Sequence, residues 1–97
     1  METLRLPELS DEQLEHLCLI AEAAARKYML SKASEKDYVH LDVSVEAEGA
    51  KQLALSVEIE AVLTPRVSLS EESLRIIVKD AVKEAFKASE EYLRKLT

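Results

Sequence analysis

The chain is poor in almost everything that punctuates or staples a fold. In 97 residues it has no tryptophan, one phenylalanine, one glycine, two prolines and one cysteine. A lone Cys18 cannot close an internal disulfide, so packing must hold the chain together, as suits a reducing cytoplasm. No apolar run approaches the roughly 18 residues that a membrane-spanning helix needs. Met1 to Leu9 carries one arginine, Arg5, and no apolar core segment, so it does not read as a signal peptide. There is no Cys-x-x-Cys, no His-x-x-x-His and no glycine-rich phosphate loop, which removes the common redox, zinc and nucleotide signatures. Positive charge is also in deficit. Thirteen Lys and Arg against 19 Asp and Glu leave a net charge of −6, whereas a phosphate-backbone partner requires clustered cations. Nucleic acid is therefore disfavoured as a partner.

What is present is a well-patterned small domain. The length allows one domain over 1–97, burying roughly 65% of the extended chain's surface. The hydrophobic fraction, 47%, is ordinary and the charged fraction, 33%, is high. Scarce glycine and dense charge fit a thermophilic source. Leu9-Ser10-Asp11-Glu12-Gln13-Leu14 returns almost unchanged as Leu69-Ser70-Glu71-Glu72-Ser73-Leu74. Ser10 and Ser70 can each cap a helix by accepting from a free backbone N–H. Gln13 completes a capping box, and Leu9 with Leu14, like Leu69 with Leu74, has the spacing of a hydrophobic staple. The acids Asp11, Glu12, Glu71 and Glu72 meet the positive end of each helix dipole. The likeness stops at the caps, so it reads as two helix starts rather than a duplicated site.

The first helix is predicted from about Asp11 to about Lys32. Leu14, Leu17, Cys18, Ala21, Ala25, Tyr28 and Met29 form its buried stripe. Ala23, Ala24 and Ala25 would let another backbone approach closely. The second helix is predicted from about Glu71 to about Lys95. Its stripe is Leu74, Ile77, Val78, Ala81, Ala85, Ala88, Tyr92 and Leu96, widened by Val82, Phe86 and Leu93. At roughly 37 Å this helix exceeds the about 33 Å of a ten-residue strand, so its last turns are expected to overhang the sheet.

Between the helices, residues alternate. Tyr38 to Ala47 puts Val39, Leu41, Val43, Val45 and Ala47 on one face, and His40, Asp42, Ser44 and Glu46 on the other. Lys51 to Leu63 puts Leu53, Leu55, Val57, Ile59, Ala61 and Leu63 on the apolar face. Every apolar position is odd, so odd must pair with odd. That parity disfavours a two-residue Gly49-Ala50 turn. It points to a three-residue loop, Ala47-Glu48-Gly49, with a bulge at Gly49, and to Leu41 opposite Leu55 and Val43 opposite Leu53. A register setting Asp42 against Glu58 would oppose like charges and is not expected. Pro65 ends the second strand. The architecture is thus α+β: helix, β-hairpin, helix (αββα), with both helices packed on one face of an antiparallel sheet.

Two strands alone leave two open edges, and open edges invite pairing. The expectation is a homo-oligomer joined through a sheet edge or the helix faces, or else an edge covered by the arm Leu4 to Leu9. For chemistry, the polar face of the hairpin gathers His40, Asp42, Ser44, Glu46, Ser56, Glu58 and Glu60. Acids beside a histidine can hold a metal or move protons, but alternation alone predicts a solvated face. His16 and Cys18 do not face each other on a helix. Ser10 and Ser70 are caps, not nucleophiles. Tyr28, Tyr38 and Tyr92, near element ends, are expected to pack with wet hydroxyls. Arg5, Arg26, Lys27, Arg94 and Lys95 are dispersed; Lys83, Lys87, Arg94 and Lys95 favour the C-terminal half of the second helix. No residue is nominated as catalytic, cofactor-binding or metal-ligating, and no cofactor is implied.

The opening Leu6-Pro7-Glu8-Leu9-Ser10-Asp11-Glu12-Gln13-Leu14, the order of elements and the ending Tyr92-Leu93-Arg94-Lys95-Leu96 resemble a small archaeal family, domain of unknown function 3194. The resemblance covers nearly the whole chain and its motifs are structural. It implies an archaeal cytoplasmic protein with an α+β fold and carries no catalytic residues over. Members of that family tend to be encoded near the prefoldin β subunit and the small dimerising subunit of the KEOPS tRNA-modification complex. Three readings follow. The first is a non-enzymatic protein–protein interaction module, with self-association or another protein as its partner. The second is an accessory factor associated with RNA, tRNA modification or translation. The third is a small metal-binding or enzymatic domain using the acidic sheet face.

Overall fold

Ser10 adopts extended backbone and starts α1 (Asp11–Lys32), its side chain accepting from the Gln13 N–H. The reciprocal bond is present, with the Ser10 N–H donating to Gln13 Oε1 at 2.9 Å, so the capping box is complete. A single turn of 3-10 helix over Glu35–Asp37 follows, then β1 (Tyr38–Glu48), β2 (Ala54–Leu63) and α2 (Glu71–Lys95). Ser70 caps α2 by accepting from the Ser73 N–H at 3.1 Å. The computed structural model describes residues 9–48 and 54–96. The fold is α+β, in the expected order, and both helices have the expected limits. The predicted arm before Leu9, the bulge at Gly49 and the strand start at Lys51 lie outside the described residues.

The hairpin obeys the parity but not the predicted register. Leu41 pairs with Ala61, Val43 with Ile59, Val45 with Val57 and Ala47 with Leu55, and the ladder runs on to Glu48 opposite Ala54. Ala47 and Glu48 are thus paired strand residues, not a turn. The expected register would have matched β1 with residues 50–58 and left Ile59 to Leu63 without backbone partners. The observed one pairs nearly all of both strands, which satisfies more N–H and C=O groups. A second difference lies at the start of β1, where the register shifts between Tyr38 and His40. One extra residue reverses the faces on either side of it. Val39, predicted to point inward, is 66% exposed, and Tyr38 takes the inner side instead.

The core lies where the two helices and the sheet meet. Leu17, Ala21, Ala25 and Met29 of α1 are fully buried, as are Ala81 and Ala85 of α2. Small residues at the crossing let the helix backbones come to the short end of the usual 8–10 Å separation. Val43 and the inward side chains Leu41, Val45, Val57, Ile59 and Ala61 floor this cluster. A second cluster joins Leu9, Leu17 and Leu93, with Leu14, Leu55, Tyr92 and Leu96 against it. The last turns of α2 are therefore packed, not overhanging. Leu9 and the start of α1 reach them because the helices run antiparallel.

Ala85 admits no larger side chain. Ala85→Leu, measured by urea unfolding, is expected to cost about 1–3 kcal/mol through overpacking at the crossing.

Candidate functional site

β1 and β2 form the whole sheet among the described residues, so each has one edge without a strand beside it. The edges differ. At β1 the irregularity at Val39 breaks the ladder and bends the strand, a common way of blunting an edge. Tyr38 anchors that end by donating from Oη to the Met29 carbonyl at 2.7 Å, and burial raises its pKa. Asp37 accepts from the Ser34 hydroxyl at 2.8 Å and the Ser34 N–H at 3.1 Å. Those hydrogen bonds hold its carboxyl below the usual range. The Thr64 N–H then donates to the Asp37 carbonyl at 2.8 Å, tying the two strand ends together.

Among the described residues β2 carries no such irregularity. Every inward side chain from Leu55 to Leu63 is half-buried, none fully. α1 lies over β1, whereas α2 touches β2 sparingly. Helical phase explains the gap. On α2, Asp80 and Glu84 lie on the α1 side, since Tyr28 Oη donates to Asp80 Oδ2 at 3.3 Å and Glu84 lines a surface hollow with Ala24, Lys27, Tyr28 and Ser31. Ala81 and Ala85 point into the core. At 100° per residue, Val82 and Phe86 fall on the opposite flank, above the open side of β2. Phe86, expected to widen the buried stripe, is 39% exposed. The position sequence reasoning overlooked is Ser89, which is buried and donates to the Ala85 carbonyl at 2.8 Å. The four-residue step Ala81, Ala85, Ser89, Leu93 could have revealed it. Where β2 leads into α2, a cleft of about 450 Å³ opens between Ala61, Leu63, Leu69 and Leu74.

The outer face of the hairpin carries the predicted polar set. His40, Asp42, Ser44, Glu46, Ser56, Glu58 and Glu60 are all exposed, as is Glu48. Asp42 stands opposite Glu60, and Ser44 opposite Glu58. The Asp42–Glu58 pair is avoided, yet a like-charge pair is present all the same. His40 Nε2 lies 3.5 Å from Glu60 Oε2. Among the described residues no three His, Cys, Asp or Glu side chains converge as a metal site requires. Cys18 is half-buried on the inner side of α1, where desolvation raises its pKa; a thiol so placed is a poor nucleophile. His16 and Cys18 do not meet, and the His16 ring rests on Tyr92 at 5.2 Å. The wet hydroxyls expected of Tyr28 and Tyr38 are instead hydrogen-bonded, because both rings lie where α1 meets a neighbour. On α2, Arg75, Lys79, Lys83 and Lys87 are exposed at successive four-residue steps. No described helix is long and apolar enough to cross a membrane.

A family model for proteins of unknown function, DUF3194, matches residues 6–92. The chain belongs to the DUF3194 family. Two solved structures share its fold. One is a crystal structure from Thermococcus onnurineus NA1, with a TM-score of 0.77 and 22% identity, covering 96% of this chain and 87% of that one. The other is the solution structure of the hypothetical protein mth677 from Methanothermobacter thermautotrophicus, with a TM-score of 0.75 and 22% identity, covering 93% and 94%. Among curated proteins no sequence relative is found.

Replacing one member of the like-charge pair tests the register. Asp42→Lys sets a cation opposite Glu60, and is expected to raise unfolding stability by about 1 kcal/mol in low salt, with most of the gain lost at high salt.

Proposed function

We propose that this DUF3194 protein is a non-enzymatic interaction module, one domain over 1–97, that engages other protein chains through its sheet edge and helix flanks. We further read it as an archaeal, cytoplasmic protein of thermophilic origin. The observation that carries the reading is the uneven sheet: a register shift at Val39 interrupts β1, while β2 is regular among its described residues and its apolar side chains are half covered. Unpaired strand edges are templates for pairing, and half-exposed apolar residues beside them add a driving force of roughly 25 cal/mol per Å² buried. A second copy meeting the helix flanks is one such partner. Light scattering after size exclusion, from micromolar to millimolar protein, is expected to show a mass above that of the monomer. A monomer at every concentration removes self-association from the reading.

A second reading, an accessory factor on RNA, is favoured by one observation. Lys79, Lys83 and Lys87 recur about 6 Å apart along α2, with Phe86 exposed beside them. Cations in line with an aromatic ring suit a single strand. Filter binding of tRNA and single-stranded RNA at low salt tests it, and retention unchanged by Lys83→Glu with Lys87→Glu sinks it. The acidic outer face, with no converging metal ligands among the described residues, leaves the enzymatic reading without support.

A further inference from the structure

The helix layer decides what kind of chain the β2 edge can accept. Packed helices stand about 8–10 Å apart and strands about 4.8 Å apart, so two helices are as wide as four strands. Two strands lie beneath them. Because α1 sits over β1, the surplus width falls on the α2 side, where Val82 and Phe86 project beyond β2. The β2 edge and that flank bound the same side of the molecule, and a cleft between Ala61, Leu69 and Leu74 lies where β2 leads into α2. A second copy joined edge to edge at β2 would bring its own α2 to that same side. An extended segment without a helix of its own meets no such obstacle.

The same geometry sets the chemistry of that segment. Side chains of an added strand alternate between faces. Those pointing inward meet Val57, Ile59, Val82 and Phe86, and must be apolar. Those pointing outward stand beside Ser56, Glu58 and Glu60, next to Asp42 in the neighbouring strand. Among the described residues that outer face holds five carboxylates and no Lys or Arg, so an outward Lys or Arg is favoured and an outward acid is repelled.

We infer that the β2 edge and the Val82–Phe86 flank of α2 form a strand-addition site for an extended segment of another protein, apolar at alternate positions and basic between them. This deepens the interaction-module reading and rests on it. Main-chain bonds along the edge supply affinity, and the two faces supply selection.

A capped synthetic peptide, Thr-Leu-Lys-Val-Lys-Leu-Thr, titrated into the ¹⁵N-labelled full chain probes the site directly. The expected amide shifts run along Ala54–Leu63 and around Val82 and Phe86, leaving Val39 to Leu41 of β1 unmoved. The same peptide with Glu for Lys is expected to bind about tenfold more weakly, the scale set by reversing two cross-strand charge pairs. Glu58→Lys with Glu60→Lys is expected to invert that preference. Both positions are exposed, so the fold survives the change. Phe86→Ala is expected to weaken both peptides equally. Shifts confined to β1, equal affinity for the two peptides, or no shifts at all overturn the inference. Binding that appears only after removal of residues 1–8 also overturns it, assigning the edge to the chain's own Leu4-Arg5-Leu6. The two readings separate: an oligomer found by light scattering with no peptide shift at β2 retains the module and discards this site.

Discussion

Every exposed surface of this protein inherits its position from one buried seam. Ala21, Ala25, Ala81 and Ala85, all without solvent exposure, meet where α1 crosses α2. Small side chains there let the helix backbones approach, and rotating either helix would drive a larger side chain into the seam. That fixes the phase of α2. Asp80 and Glu84 must turn toward α1, where Tyr28 meets Asp80. Val82 and Phe86 must turn away, and Arg75, Lys79, Lys83 and Lys87 must face solvent. Larger residues close the two ends of the seam: Met29 under the β1 start, Leu17 with Leu9 and Leu93 at the other. The alanines hold the angle, and the leucines and methionine supply most of the buried area.

The seam also explains the asymmetry of the sheet. A close helix pair is still much wider than a hairpin, and α1 lies over β1. Among the described residues β1 therefore holds the one buried strand residue, Val43, while every inward residue of β2 stays half-buried. The β1 edge needs protection of its own, and the irregularity at Val39, the Tyr38 bond to Met29 and the Asp37 turn supply it together. Among the described residues no such irregularity interrupts β2. Natural sheets rarely leave a straight apolar edge without a reason, and that contrast, more than any side-chain chemistry, separates a surface built to be used from one built to be left alone.

Much of this was legible in the residues and some was not, for identifiable reasons. Helix limits follow from caps, and Ser10, Gln13 and Ser70 are local signals that act within one turn; both helices begin and end where the spacing places them. Strand faces follow from alternation, and odd positions point inward over most of the hairpin. The register is different. It depends on how much backbone two strands can pair in total, a property of the whole hairpin, and a single glycine near the tip drew attention to the wrong turn. The change of face at Val39 left no mark, because a β-branched residue suits either side of a strand. Phe86 looked like core since a three-four spacing cannot tell a helix with neighbours on both sides from one at the border of its layer. Ser89 looked polar, though the step from Ala81 and Ala85 placed it inside, where an i−4 carbonyl satisfies it.

Composition misled most where it averaged. The net charge of −6 is not spread over the molecule. Asp42, Glu46, Glu48, Glu58 and Glu60 crowd the outer sheet face, and the middle of α2 shows solvent a row of cations. A charged group is felt over about 8–10 Å at ordinary ionic strength, while the molecule measures 19 Å across its shortest dimension. The faces therefore differ in what they present. The sheet side repels polyanions and attracts basic chains, whereas α2 carries equal numbers of acids and bases and lines its cations up only along Arg75, Lys79, Lys83 and Lys87. The acidic total belongs chiefly to the hairpin. What such a protein can bind is set face by face, by a polarity that the alanine seam creates when it turns the lysines of α2 outward.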